Sequence, residues 1–306
     1  MPYLLLLIYL IPRVVSSVTV KKNSAAFSGL GVPGSFLYVI ETGIFSTFFY
    51  WALNGFKLSV SPTVVLFSML YGAVVVLSLT VTIFMYDYGS IALVSFVNGT
   101  VSLISSAIFG ALLLNEQITP ELITRILLML LCVFTVFIGT KRNGGAEENK
   151  KLSPLTFILP SLSALITLAI TFIVKYYLAS EGATDTNSLY FMTNVFCATY
   201  SLPILAIMML VKKSNKPNTK DLLLATVDKR CLGSLINTGI GSVQMVIGTL
   251  LIEAMDVAVY TPVTSAIGFV AMAIATPIVK ERLDAYKISA TVIAILSLFL
   301  PSLIFS

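Results

Sequence analysis

Apolar residues along this chain fall into long runs broken by short polar punctuation. The runs are about 19 to 25 residues long, the length a helix needs to cross roughly 30 Å of hydrocarbon. They predict ten membrane helices: Pro2–Val20, Gly34–Phe56, Pro62–Tyr86, Ser90–Leu114, Pro120–Thr140, Pro154–Leu178, Asn187–Val211, Cys231–Leu251, Val257–Val279 and Ala285–Phe305. No stretch alternates apolar and polar positions over segments of about 10 residues, as the strands of a membrane barrel do. Helix starts are marked by Ser61 before Pro62, Thr119 before Pro120, Ser153 before Pro154, and Asp284 before the last run. The first run has no basic segment ahead of it and carries Lys21 and Lys22 behind it, the reverse of a cleaved signal peptide, so it is read as a spanning helix.

One stretch occurs twice in outline. Leu112 to Ile123, LLLNEQITPELI, ends an apolar run, sets Glu116 at the membrane edge and resumes with a helix start; Pro277 to Ile288, PIVKERLDAYKI, does the same around Glu281. Superposing the two glutamates lays the third, fourth and fifth runs over the eighth, ninth and tenth without a gap. An odd number of spans per copy makes the second copy enter the membrane from the opposite face. The expected fold class is therefore all-α integral membrane, with ten transmembrane helices as a 5+5 inverted repeat: residues 1–142, a polar linker at 143–153, and residues 154–306.

Composition narrows the class. Apolar residues make up 57% of the chain and charged residues 11%, too few polar side chains to cover a soluble globule of this size. The net charge of +5 resides in the loops, so it reports topology, and nothing points to nucleic acid. The chain has no histidine, which excludes His-based metal binding or catalysis, and Cys132, Cys197 and Cys231 lack metal or redox spacing. No cofactor or metal is expected, and no enzyme. Counted by alternate loops, fifteen Lys and Arg lie on one side and Lys57, Arg125 and Lys175 on the other. The positive-inside rule makes the first side cytoplasmic and turns both termini outward.

Gly110 to Pro120 (GALLLNEQITP) and Thr276 to Ala285 (TPIVKERLDA), each a fourth helix ending in Glu followed by a turn and a fifth apolar helix, resemble the drug/metabolite transporter superfamily in its EamA-like branch. The likeness in layout covers nearly the whole chain. It implies a secondary transporter of small metabolites or drugs in the cell (plasma) membrane, often an exporter, working by alternating access and open to proton coupling. Its partners are then a small-molecule substrate, the lipid bilayer and protons. It also implies both termini inside, against the charge count. The competing classes are a non-transporting scaffold or receptor, for which the longest loop (212–230) is short, and a membrane enzyme, for which no acid or nucleophile cluster is present.

Polar groups at membrane depth are the candidates for transport, because each is costly there and persists when it faces a cavity or a partner. Glu41 lies within FLYVIETGIFSTFFYW, with Tyr38 one turn before it and Phe45 and Phe48 on the same side. It reads either as a carboxyl that exchanges a proton or holds a cation beside aromatic faces, or as a paired structural acid. Ser163, Thr167, Thr171 and Lys175 form a polar stripe on the sixth span, ending in a cation that either points inward or snorkels to the headgroups. Asn237, Gly241, Gln244 and Gly248 form a face on the eighth span, and Asn194 sits on the seventh; both serve substrate binding or helix packing. Asn98, Ser102, Ser106 and Gly110 read mainly as a packing stripe, with Asn98 its one cavity candidate. Glu116 and Glu281 read as loop markers and helix-start charges, and Arg13 and Asp87 as interfacial.

Overall fold

A computed structural model of the chain describes all residues except 1, 89–90, 115–116, 143–152, 211–218, 281–283 and 306. Every described element is an α-helix: α1 (Pro2–Ser28), α2 (Gly31–Leu53), α3 (Pro62–Tyr88), α4 (Ile91–Leu114), α5 (Pro120–Arg142), α6 (Leu155–Leu178), α7 (Thr186–Leu210), α8 (Thr219–Ala225), α9 (Lys229–Ala254), α10 (Val257–Ile278) and α11 (Ala285–Phe305). Among the described residues nine of these, α2 to α7 and α9 to α11, are long and apolar enough to cross a membrane. The architecture is that of an all-α, multi-pass membrane protein. Each of the ten runs read from the sequence coincides with a helix over most of its described residues, and α1, which is not among the nine, extends eight residues past its expected end at Val20.

Local chemistry sets the helix starts. The hydroxyl of Ser61 accepts from the Val64 N–H at 3.2 Å, Thr119 from Leu122 at 3.2 Å and Ser153 from Leu155 at 3.3 Å, while the Asp284 carboxylate takes the Lys287 N–H at 2.8 Å. Each supplies an acceptor to a first-turn donor that has no partner within its own helix. Asp185 does the same for Ser188 at the head of α7, at 2.7 Å. The loop between α6 and α7 turns at Gly182 (φ +84°), a conformation that disfavours a side chain. There the Gly182 carbonyl accepts from Ser61 at 2.8 Å, which ties the loop to the one between α2 and α3.

The chain divides into two compact units. The first comprises Met1–Val18, Tyr88–Leu168 and Leu250–Ser306; the second comprises Thr19–Asp87 and Ala169–Thr249. Each draws helices from both halves of the sequence. In the first unit α4 packs on α10 and α5 on α11; in the second α2 packs on α7. In each of these pairs the partners are five spans apart in the sequence. The boundaries between the units fall within α1, α6 and α9 and at the last residue of α3; α1 and α6 are likewise the first and sixth apolar runs.

Small residues permit these contacts, as expected where dispersion rather than water exclusion holds helices together. In the first unit the Phe96 and Phe269 rings stack with centroids 4.4 Å apart, and Gly99 admits the Phe269 ring where a Cβ would stand 2.6 Å from it. Buried Arg125 donates to the Ser297 carbonyl at 3.0 Å and pairs with Glu121 at 2.6 Å, which joins α5 to α11. In the second unit Gly43 and Gly72 let α2 and α3 approach the backbone of α7. The polar stretch between α7 and α9 contains α8, whose Leu222 and Ala225 pack with Phe27, Tyr38 and Ile83.

Candidate functional site

Glu41 lies ten residues after the start of α2 and twelve before its end, about 15 Å into a helix whose residues from Leu37 to Gly43 are all buried. It is 6% exposed, and neither carboxylate oxygen has a hydrogen-bond partner among the described residues. The side chain faces Ser234 of α9, but that hydroxyl, fully buried, also stops short of hydrogen-bonding geometry. Asn23 of α1, 5% exposed, faces the Tyr38 hydroxyl and occupies the space left by Gly233, where a Cβ would lie 2.4 Å from its Oδ1. Its Nδ2 is a further buried donor without an acceptor.

Beside these unmatched groups runs a matched chain. Asn237 Nδ2 donates to the Tyr38 hydroxyl at 2.7 Å, and Thr19 Oγ1 donates to Asn237 Oδ1 at 2.8 Å. Tyr38 is thereby fixed one turn from Glu41, by residues from α1, α2 and α9 that all belong to the second unit. Replacing Asn237 by Leu strips one buried hydroxyl of its donor, and the expected loss is about 1–3 kcal/mol of stability. Thermal unfolding of Asn237→Leu against the double variant with Tyr38→Phe checks this: removing both partners recovers part of the loss.

Among the described residues the charges around Glu41 are few. Asp228, Arg230 and the Cys231 thiol act on it from the head of α9, and Tyr38 from its own helix. The Arg230 guanidinium donates to Asp228 at 2.9 Å and holds that carboxyl below the usual carboxylate range. The pair is thus largely satisfied within itself. Phe48, expected beside Glu41, is 60% exposed on the outside of α2, while Phe45 is half-buried and Tyr38 is close enough to act on the carboxyl.

The remaining sequence candidates disperse. Asn194 spends its amide on the Tyr190 carbonyl of its own helix at 2.7 Å, and its backbone carbonyl is where Gly43 approaches. Thr171 is buried, Gln244 is half-buried, and Lys175 is half-buried in the last turn of α6. Asn98 belongs to the first unit and donates to Ser163 at 3.1 Å. Ser102, Ser106 and Gly110 are buried, as a packing stripe requires. Glu116, Glu281 and the side chain of Asp87 lie outside the described residues.

Arg13, read from the sequence as interfacial, lies mid-helix in α1. The extension of α1 to Ser28 moves it to the twelfth of 27 helical positions, and its guanidinium lies against Gly268, the twelfth of 22 residues in α10. A Cβ on Gly268 would stand 3.7 Å from Nη2 and 3.8 Å from Nε.

Two features were not anticipated. Tyr50, Tyr71 and Tyr190 form a buried aromatic cluster in the second unit, with ring centroids 5.1 and 6.0 Å apart and the Tyr190 hydroxyl bonded to Thr249. In the first unit a groove of about 640 Å³ opens among α4, α5 and α6; Val97, Leu130, Phe134, Phe137 and Phe157 line it, and Thr100 and Ser161 are its hydroxyls. Its apolar lining makes it unlike the polar surroundings of Glu41.

No family model matches the chain, and no curated protein does. Solved structures do match. A crystal structure titled only "Crystal structure of protein" aligns with a TM-score of 0.61 over 97% of this chain and 98% of that one, at 16% identity. The likeness is one of fold.

Proposed function

We propose that the chain is a secondary active transporter that moves a small polar metabolite or drug across the cell membrane by alternating access, as an exporter, with Glu41 as its exchangeable acid. The observation that carries this reading is the group of unmatched polar atoms on Glu41, Ser234 and Asn23, buried in one neighbourhood of the second unit. Each unmatched buried polar group costs about 1–3 kcal/mol. A packing core has no reason to retain several together, whereas a binding site does, because the solute supplies the missing partners. Two carboxylate oxygens, a hydroxyl and an amide donor fit a solute with a protonated amine or other donor on one side and an acceptor on the other. When the solute leaves, a proton on Glu41 keeps the site neutral, which couples the two movements. Tyr38, Asp228, Arg230 and Cys231 are the titratable or charged groups that bear on that proton.

Pairing of helices five spans apart supports a 5+5 repeat, the construction in which exchange between two access states arises naturally. It agrees with the EamA-like layout read from the sequence, and among the described residues nine helices long and apolar enough to cross a membrane support the multi-pass place that the proposal assigns to the plasma membrane. Purified protein reconstituted in vesicles with an imposed pH gradient tests the proposal directly. Small amine-bearing and zwitterionic solutes should accumulate saturably, and a proton ionophore should collapse the accumulation. Uptake equal to that of protein-free vesicles across such a panel refutes it.

A further inference from the structure

We propose that Arg13 and the middle of α10 form a second binding site, one that takes the carboxylate of a small monoanionic solute. It goes beyond the transport reading, and binding at this site can be measured whether or not the protein transports.

The argument begins with depth. Gly268 lies nine residues after Val259 and ten before Ile278, the limits of a helix apolar enough to span a membrane. A guanidinium held against Gly268 is therefore about 15 Å from either end of α10. Cations at that depth are rare, and those that persist face a bundle interior and bind something. Among the described residues Arg13 has no ion pair, and its guanidinium makes no hydrogen bond. The described carboxylates of the first unit are engaged or exposed: Glu121 pairs with Arg125, Asp284 caps α11, and Glu253 and Asp256 are exposed. Among the described residues nothing takes the five N–H donors of Arg13, which leaves them for a ligand.

The surroundings fix the ligand's class. Gly268 has no side chain to cover the guanidinium. Half-buried Ser265, one turn earlier on α10, adds a hydroxyl donor on the adjoining part of the helix surface. A planar fork of donors matches a carboxylate in two parallel hydrogen bonds. One positive charge at this depth neutralises one negative charge and no more, and burying a second without a counter-charge is prohibitive. Phosphate, with a charge near −1.5 to −2 at neutral pH, is therefore excluded in favour of a monocarboxylate.

Thermal unfolding of the purified full-length chain at constant ionic strength is the test, with acetate, butyrate, benzoate, inorganic phosphate and chloride as the probes. A monocarboxylate should raise the melting temperature saturably by a few degrees, with chloride and phosphate without comparable effect. Arg13→Gln should abolish that rise while the variant melts at or above the wild-type temperature. Gly268→Leu, which keeps the charge of Arg13 but puts side-chain atoms where the guanidinium meets α10, should abolish the rise too, so the proposal stands tested even if one variant fails to fold. Three results each overturn it: no monocarboxylate stabilises the wild type, the rise survives in either variant, or phosphate stabilises more than every carboxylate. If the carboxylate binds but vesicles move no solute, the transport reading fails and this site remains.

Discussion

Glu41→Leu should raise the melting temperature of the purified protein by a few degrees and reduce solute uptake into vesicles to the protein-free level. The two effects have one cause. In the wild type a carboxyl is buried with both oxygens unmatched beside an equally unmatched Ser234 hydroxyl. Leucine has nearly the same volume and no polar atoms to leave unpaired, so the substitution removes a penalty of about 1–3 kcal/mol. A structural acid would behave in the opposite way, because losing a paired carboxylate strands its partner and lowers stability. Glu41→Gln separates charge from polarity: it keeps two polar atoms in place, so stability should change little, yet the exchangeable proton is gone and gradient-driven uptake should vanish with it. Melting curves of both variants beside vesicle uptake decide the matter. A lower melting temperature for Glu41→Leu would make Glu41 part of the scaffold.

Periodic hydrophobicity and four capping residues carried the helices, because length and apolarity are local properties and a cap is chosen by the donors of the turn that follows it. The same locality explains what escaped. Helix α8 is a seven-residue TKDLLLA segment in a polar stretch, and only its packing through Leu222 and Ala225 against α1, α2 and α3 makes a helix of it. Glu41 and Asn237 stood out as polar residues in apolar surroundings, but Ser234, Asn23 and Thr19 did not. A serine or threonine within an apolar helix usually bonds its own backbone, as Thr42 and Ser242 do here, and nothing in the sequence distinguishes the one that does not. The mid-helix position of Arg13 is hidden because the polar residues that follow Val20 look like a helix end. They instead pack in the second unit, where Lys21 donates to the Tyr86 carbonyl at 3.1 Å and Ser24 to that of Ile83. The spacing between two glutamates suggests a repeat. That compact units form from helices five apolar runs apart, and not from sequence halves, is a tertiary fact with no local signal.

The helix contacts of the second unit yield the other large effect. Gly72→Ala should cost about 1–3 kcal/mol, and Gly72→Leu should leave no monodisperse protein after extraction. At Gly72 an added Cβ would lie 2.9 Å from the Phe196 Cβ and 3.1 Å from the Thr193 carbonyl oxygen. Neither neighbour can swing away, since one is the root of a side chain and the other is backbone. The helices α3 and α7 must therefore separate. Separation is expensive between membrane helices, which are held by close contact and not by the exclusion of water. It would also stretch the 3.5 Å approach of the Cys197 thiol to the Gly72 carbonyl. Gly241 of α9 provides the control, because a Cβ there meets nothing within 4 Å. Alanine is the better helix former by about 0.5–1 kcal/mol, so Gly241→Ala should be neutral or stabilising. Opposite signs for the same substitution at two helical glycines would isolate the contact from the backbone. Equal melting temperatures for Gly72→Ala and Gly241→Ala would instead mean that α3 and α7 meet loosely, and that the small residues along this seam are not what sets the distance between them.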